Sequence, residues 1–232
     1  VINAGGSIRV DPHVKIATSY GVDVSWPMQQ EKVLTENNPL GVDVRQSIYD
    51  EYIRGCVGNE KAQVLSKKHV RECNRWENDR ITMNRNQPAI SQNYTHAGYA
   101  KVDTPSSVRE TLQSIWDQHQ ESKQEELWER HNTYLNHWAT PSHMIDIGTI
   151  LSRSQEMKLV KEVQTVLEAW TQQPLVLTSV YGIRIYGPGA ILAPHVDRLP
   201  LVSSAIINVA QDVEEPWVLE VVGHDGKATN VT

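Results

Sequence analysis

The C-terminal quarter of the chain constrains the fold most. From Leu175 onward the apolar runs are short and broken by turn formers: residues 175–181, 182–186, 190–197, 202–209 and 217–222 each read as a strand, with reversals at Gly187-Pro188-Gly189 and His224-Asp225-Gly226. The connections leave no room for crossover helices. Parallel βαβ pairing is therefore excluded, and the spacing predicts an antiparallel barrel or sandwich.

Upstream the hydrophobic period lengthens to that of a helix. Val160, Val163, Leu167 and Trp170 recur at three or four residues over 154–171, and Pro174 closes the run. Thr104-Pro105 opens another helix, because Thr accepts an orphan amide and Pro in the first turn gives up no bond; Val108, Leu112, Ile115, Trp116 and His119 share its face. The charged stretch 121–130 reads as a solvated continuation of that helical region. Nearer the N-terminus, Ile48, Tyr52, Ile53, Cys56 and Val57 repeat at helical spacing, and a second helix is expected over 60–76. Residues 77–103 hold polar clusters and one extended piece around 98–102. Residues 1–44, with Pro27 and Pro39, read as an irregular extension or as strands laid on the main body, and the doubled Gly-Val-Asp-Val at 21–24 and 41–44 is too short for a repeat protein. The expected organisation is an N-terminal extension with helices over 1–87 and a main domain over 88–232.

Composition narrows the partners. Lys plus Arg number 22 against 28 Asp plus Glu, a net charge of -6 that would not condense on a phosphate backbone, so nucleic acid is excluded as a partner. The longest apolar runs are only a few residues, which excludes a membrane span. Cys56 and Cys73 are the only cysteines; they rule out a four-cysteine zinc site and leave open either one disulfide or two separate thiols. That disulfide, with sequons at Asn93-Tyr94-Thr95 and Asn230-Val231-Thr232, keeps a secretory compartment in view. Seven Trp and eight Tyr against no Phe favour half-buried, polar-edged contacts; Tyr134 and Trp138 either wall a groove or cap the core.

The candidate chemistry lies in His195-Val196-Asp197. On a strand, positions i and i+2 project from one face, so imidazole and carboxylate can converge on one ion. Nitrogen plus carboxylate oxygen with open positions suits non-haem Fe(II), and a structural His–Asp hydrogen bond is the alternative. Tyr186, nine residues earlier and just before the Gly-Pro-Gly turn, can return beside the pair through a hairpin. Arg184 faces either a cosubstrate or a nearby carboxylate, and Arg198 either an acidic substrate group or a surface partner.

The stretch Tyr181-Gly-Ile-Arg-Ile-Tyr-Gly-Pro-Gly-Ala-Ile-Leu-Ala-Pro-His-Val-Asp197, followed by Ser204-Ala-Ile-Ile-Asn-Val-Ala-Gln-Asp212 and Pro216-Trp-Val-Leu-Glu-Val221, resembles the prolyl 4-hydroxylase-like branch of the 2-oxoglutarate and Fe(II)-dependent dioxygenases, of the type found in algae and marine microbes. The resemblance is strong over 175–232 and looser over 88–174. It implies an α+β fold, a double-stranded β-helix (jelly roll) with helices packed on one sheet and its C-terminal strands missing. It further implies an oxidoreductase in which His195 and Asp197 are the catalytic iron ligands and Tyr186 and Asn208 hold the cosubstrate. The cofactors implied are Fe(II) and 2-oxoglutarate, with ascorbate open as a reductant, and the substrate is a peptidyl proline, another peptide side chain or a small molecule.

One departure stands out. The family's distal histidine, followed by Lys or Arg for the far carboxylate of 2-oxoglutarate, has no match in a chain that stops 37 residues after His195. His224, placed in an exposed turn, and Lys227 are poor substitutes, so the expectation is an inactive fragment of a longer product. Two other classes remain open: a non-catalytic jelly-roll binding module, and a cupin-type metal enzyme using other histidines.

Overall fold

A capping box starts the longest helix of the C-terminal half. Ser152 Oγ accepts from the Gln155 amide while Gln155 Oε1 accepts from the Ser152 amide, which satisfies two orphan donors at once. The computed structural model of the chain describes residues 2–4, 52, 54–58, 67–214, 217–225 and 228–231. In chain order these form β1 (Ile2–Ala4), α1 (Lys67–Ile90), β2 (Tyr99–Ala100), α2 (Ser106–His119), a 3-10 turn (Gln120–Ser122), β3 (Gln124–Glu125), β4 (His143–Ile145), α3 (Ile147–Ile150), α4 (Arg153–Thr171), β5 (Ile183–Ile185), β6 (Ser203–Ala205), β7 (Leu219–Val222) and β8 (Ala228–Val231). The capping box belongs to α4.

The main core lies between helices and the sheet β3-β4-β5. Val108, Leu112 and Ile115 of α2 and Leu159 of α4 meet Ile145 of β4, Ile147 of α3 and Ile183 of β5, with Ile207 and Val209 packed at the edge. The antiparallel register sets Ile145 opposite Ile183 and Met144 opposite Arg184, so the period of two sends the isoleucines to the helices and the arginine to the other face. Gly182 is obligatory at this junction, because a Cβ there would fall 1.9 Å from the Ile145 carbonyl oxygen.

A second cluster joins the N-terminal helices to the loop before β4. Cys56 and Cys73 form a disulfide, and both are buried. Tyr52 donates its hydroxyl to the Thr133 carbonyl and packs edge-on against Trp138 at 5.0 Å between centroids. Gly55 admits that indole: a Cβ there would lie 2.3 Å from Trp138 Nε1. Trp138 thus caps a core and does not wall a groove.

The sheets overturn the jelly roll. Among the described residues they are β2-β1-β6, β3-β4-β5 and the hairpin β7-β8, each antiparallel, short and open, and none closes into a barrel. Residues 175–181, expected as a strand, are a largely exposed loop, with Val176 87% exposed. Residues 190–197 contribute one isolated bridge, Leu135 to Leu192. Apolar run length measures a strand's propensity and says nothing about whether a neighbour is present to pair with it.

Other elements also differ from expectation. The second helix does not stop at Trp76; α1 runs to Ile90, with Pro88 in its last turn. Its apolar period lapses after Trp76 because the face it buries is polar, carrying Glu77, Arg80 and Asn84. The charged stretch after α2 breaks into the 3-10 turn and β3, and Glu126 turns inward to meet Arg184. α2, α4 and the extended piece near residue 99 form where expected, and β1 is a strand laid on the body, paired with β2 and β6. The expectations for 5–44 and for residues 45–50 and 60–66 lie outside the described residues. Among those described, no helix is long and apolar enough to cross a membrane.

Candidate functional site

The segment 193–197 is neither helix nor strand, so its peptide groups need partners from elsewhere. On one side, the Ala193 amide donates to the Tyr134 carbonyl at 2.9 Å. On the other, α1 supplies side chains at i, i+4 and i+7, which align on one helical face. Arg80 Nη1 and Asn84 Nδ2 both donate to the Pro194 carbonyl, the latter at 3.0 Å. Asn84 Oδ1 accepts from the Val196 amide at 3.0 Å, and Gln87 donates to the Asp197 carbonyl. Arg80 is itself held by Glu77 through Nε and Nη2, both side chains being 1% exposed. A polar helix face thus takes the place of a neighbouring strand.

His195 and Asp197 converge above this support. His195 Nδ1 lies 2.7 Å from the Ala193 carbonyl oxygen; a carbonyl can only accept, so Nδ1 carries the proton and Nε2 keeps its lone pair. That Nε2 is 3.9 Å from Asp197 Oδ1, beyond hydrogen-bond length. Asp197 Oδ2 accepts from Ser204 Oγ, brought back by the turn in which the Leu201 amide bonds the Arg198 carbonyl. Tyr134 packs edge-on against the imidazole at 5.4 Å between centroids. Burial pushes the His195 pKa below its ordinary value near 6.5 despite the opposing Ala193 bond and Asp197 charge, so the ring is neutral near pH 7. Burial also raises Tyr134.

The other expected residues are placed elsewhere. Tyr186 packs its ring edge-on against Trp217 at 4.9 Å and hydrogen-bonds Arg184. Arg184 resolves in favour of a carboxylate: it forks onto Glu126, with Nε to Oε2 and Nη2 to Oε1 both at 2.8 Å, while Ser142 Oγ donates to the same carboxylate. Burial opposes the Arg184 charge, but the bonds from Glu126 and Tyr186 outweigh it and hold its pKa above the ordinary value. Asn208 is exposed, between Ile207 and Val209, which pack on the core. Arg198 is exposed, and Lys227 lies outside the described residues. His224 is not a solvated turn residue: it packs on Gly98, where a Cβ would fall 2.5 Å from its Cδ2, and both its ring nitrogens are shielded from solvent.

The dioxygenase assignment does not survive these observations. It requires a barrel and a facial set of three donors, whereas among the described residues the sheets are open and no group of three His, Cys, Asp or Glu side chains could hold a metal ion. The resemblance in residues 181–221 is therefore one of local sequence and does not carry the family's fold, its iron triad or its oxidoreductase activity. Nor does the site form a nucleophilic triad, since Ser204 bonds the carboxylate and not the imidazole.

Sequence reasoning missed Asn84, Arg80, Gln87 and Ser204, and it singled out Tyr134 without placing it beside His195. Only the polar period 77, 80, 84, 87, which mimics an amphipathic stripe in polar residues, could have pointed to the first three. No protein-family model, curated protein or solved structure matches this chain.

Proposed function

We propose that His195 and Asp197 form a two-donor binding site for a first-row divalent transition-metal ion. One observation carries this reading: both donors already have the outer bonds that metal ligands use. The imidazole gives its Nδ1 proton to the Ala193 carbonyl and leaves Nε2 open, and the carboxylate takes Ser204 on Oδ2 and leaves Oδ1 open. An open imidazole nitrogen and a carboxylate oxygen 3.9 Å apart, too far for a hydrogen bond, favour a cation between them. With metal bonds of about 2.1 Å, a tetrahedral ion places its two donors about 3.4 Å apart, a small inward swing from the observed separation.

The donor set suits Fe(II), Mn(II), Co(II) or Zn(II). With two protein donors the affinity is weak, and the remaining positions belong to water or a chelating ligand. A 2-oxo acid such as 2-oxoglutarate would be anchored by the ion, because Arg184 is committed to Glu126. The disulfide and the exposed acceptor Asn93 support an oxidising, secretory compartment.

Co(II) titration followed by its visible d–d absorption tests the site. Saturable one-to-one binding that weakens at least about tenfold in both His195→Ala and Asp197→Ala is expected. Binding of the same strength in wild type and both variants would overturn the proposal.

A further inference from the structure

We infer that Asn84 is a positioning residue that fixes the tautomer of His195 and so decides which ring nitrogen is offered at the site. In an extended segment the carbonyl of residue i−1 and the amide of residue i+1 point the same way, and a neighbouring strand normally engages both. Here a single side-chain amide does so. Asn84 Nδ2 donates to the Pro194 carbonyl and Asn84 Oδ1 accepts from the Val196 amide, each at 3.0 Å, bracketing His195 from behind. The Asn carboxamide carries a donor and an acceptor side by side on one planar group, so one side chain serves both peptide groups.

The bracket bears on the imidazole through the backbone. Nδ1 reaches the Ala193 carbonyl only while residues 193–195 keep their present path, with the Ala193 amide tied to Tyr134 on the far side and Pro194 and Val196 tied to Asn84 on the near side. Removing Asn84 leaves Arg80 on the Pro194 carbonyl and Gln87 on the Asp197 carbonyl but strips the Val196 amide of its acceptor, so the peptides between those two anchors turn toward water. The Ala193 carbonyl then leaves the ring, and either nitrogen can take the proton. With Nε2 protonated, the atom facing Asp197 Oδ1 becomes a donor and is closed to a cation. The consequence for cation binding rests on the proposed site; the tautomer does not.

The experiment is nitrogen-15 NMR of the imidazoles at neutral pH in wild type, Asn84→Ala, Asn84→Asp and Gln164→Ala, each also titrated with Co(II). Asn84→Asp keeps the shape and the acceptor, loses the donor to Pro194 and sits beside the Arg80 guanidinium, so it still reads the inference should Asn84→Ala fail to fold. Gln164 bonds Leu175 and Glu168 on α4, away from the site, and its variant controls for general loosening. His195 is expected as the Nδ1-protonated form in wild type and Gln164→Ala, with the Nε2-protonated form gaining in Asn84→Asp and dominating in Asn84→Ala. Co(II) affinity is expected to fall at least about tenfold in Asn84→Ala. An Nε2-protonated His195 in wild type, or a wild-type imidazole spectrum in a folded Asn84 variant, overturns the inference. Absence of Co(II) binding in wild type sinks the cation reading alone, because the tautomer shift is read without metal.

Discussion

The buried pair Glu77–Arg80 supports the site and can be tested by a double-substitution cycle. Both side chains are 1% exposed, and Arg80 spends Nε and Nη2 on Glu77 and Nη1 on the Pro194 carbonyl. Glu77→Met leaves a guanidinium in the interior without its carboxylate, and Arg80→Met does the reverse; each is expected to cost about 3–5 kcal/mol. Changing both to Met removes the two charges together and fills similar volume. The Pro194 carbonyl then loses one of its two donors but keeps Asn84, a loss of about 1 kcal/mol. The double variant should therefore lie within about 2 kcal/mol of wild type, a coupling of at least about 4 kcal/mol between the two positions. Urea unfolding followed by tryptophan fluorescence and far-ultraviolet circular dichroism reads all four proteins. Single variants within 1 kcal/mol of wild type, or additive effects of about 6–10 kcal/mol in the double, would refute the assignment of a mutually compensated interior pair.

Two further outcomes follow from the same structure. The Cys56–Cys73 disulfide closes a sequence separation of 17, so replacing both with Ser should lower stability by about 3 kcal/mol, measured by urea midpoint; an unchanged midpoint would contradict its role as a staple. Burial pushes His131, His137 and His195 below their ordinary value near 6.5, so below that pH the unfolded chain binds more protons than the folded one, and stability must fall as pH drops. The slope from pH 6.5 toward 5 is at most about 1.4 kcal/mol per unit for each histidine, and His195→Gln should make it shallower; a flat profile over that window would refute the buried, neutral state.

What the sequence revealed depended on which face of each element is apolar. α2 and α4 bury Val108, Leu112, Ile115, Leu159 and Val160, so their period was visible; Thr104-Pro105 marked where α2 begins, although Pro105 is its cap residue and no side chain caps it, and the Ser152 capping box went unread. α1 interleaves buried Glu77, Arg80 and Asn84 with the apolar Cys73 and Ile81, so a hydrophobic period registers only in fragments there. Residues 175–181 and 190–197 have strand-like composition, but pairing is a property of the neighbour, and for Pro194 to Asp197 that neighbour is a polar helix face over a hundred positions earlier. The approach of His195 to Asp197 was legible because spacing of two is local. Ser204, seven positions beyond Asp197, and Tyr134 arrive through a turn and a distant loop that no spacing encodes.

The most direct measurement is paramagnetic broadening of side-chain resonances by substoichiometric Mn(II). Broadening centred on the His195 imidazole and extending to the Tyr134 ring and the Ser204 β-protons, and absent in Asp197→Ala, is the predicted result. Broadening confined to surface carboxylates away from residues 193–204, with the His195 ring still sharp, would contradict a cation site between that imidazole and its carboxylate.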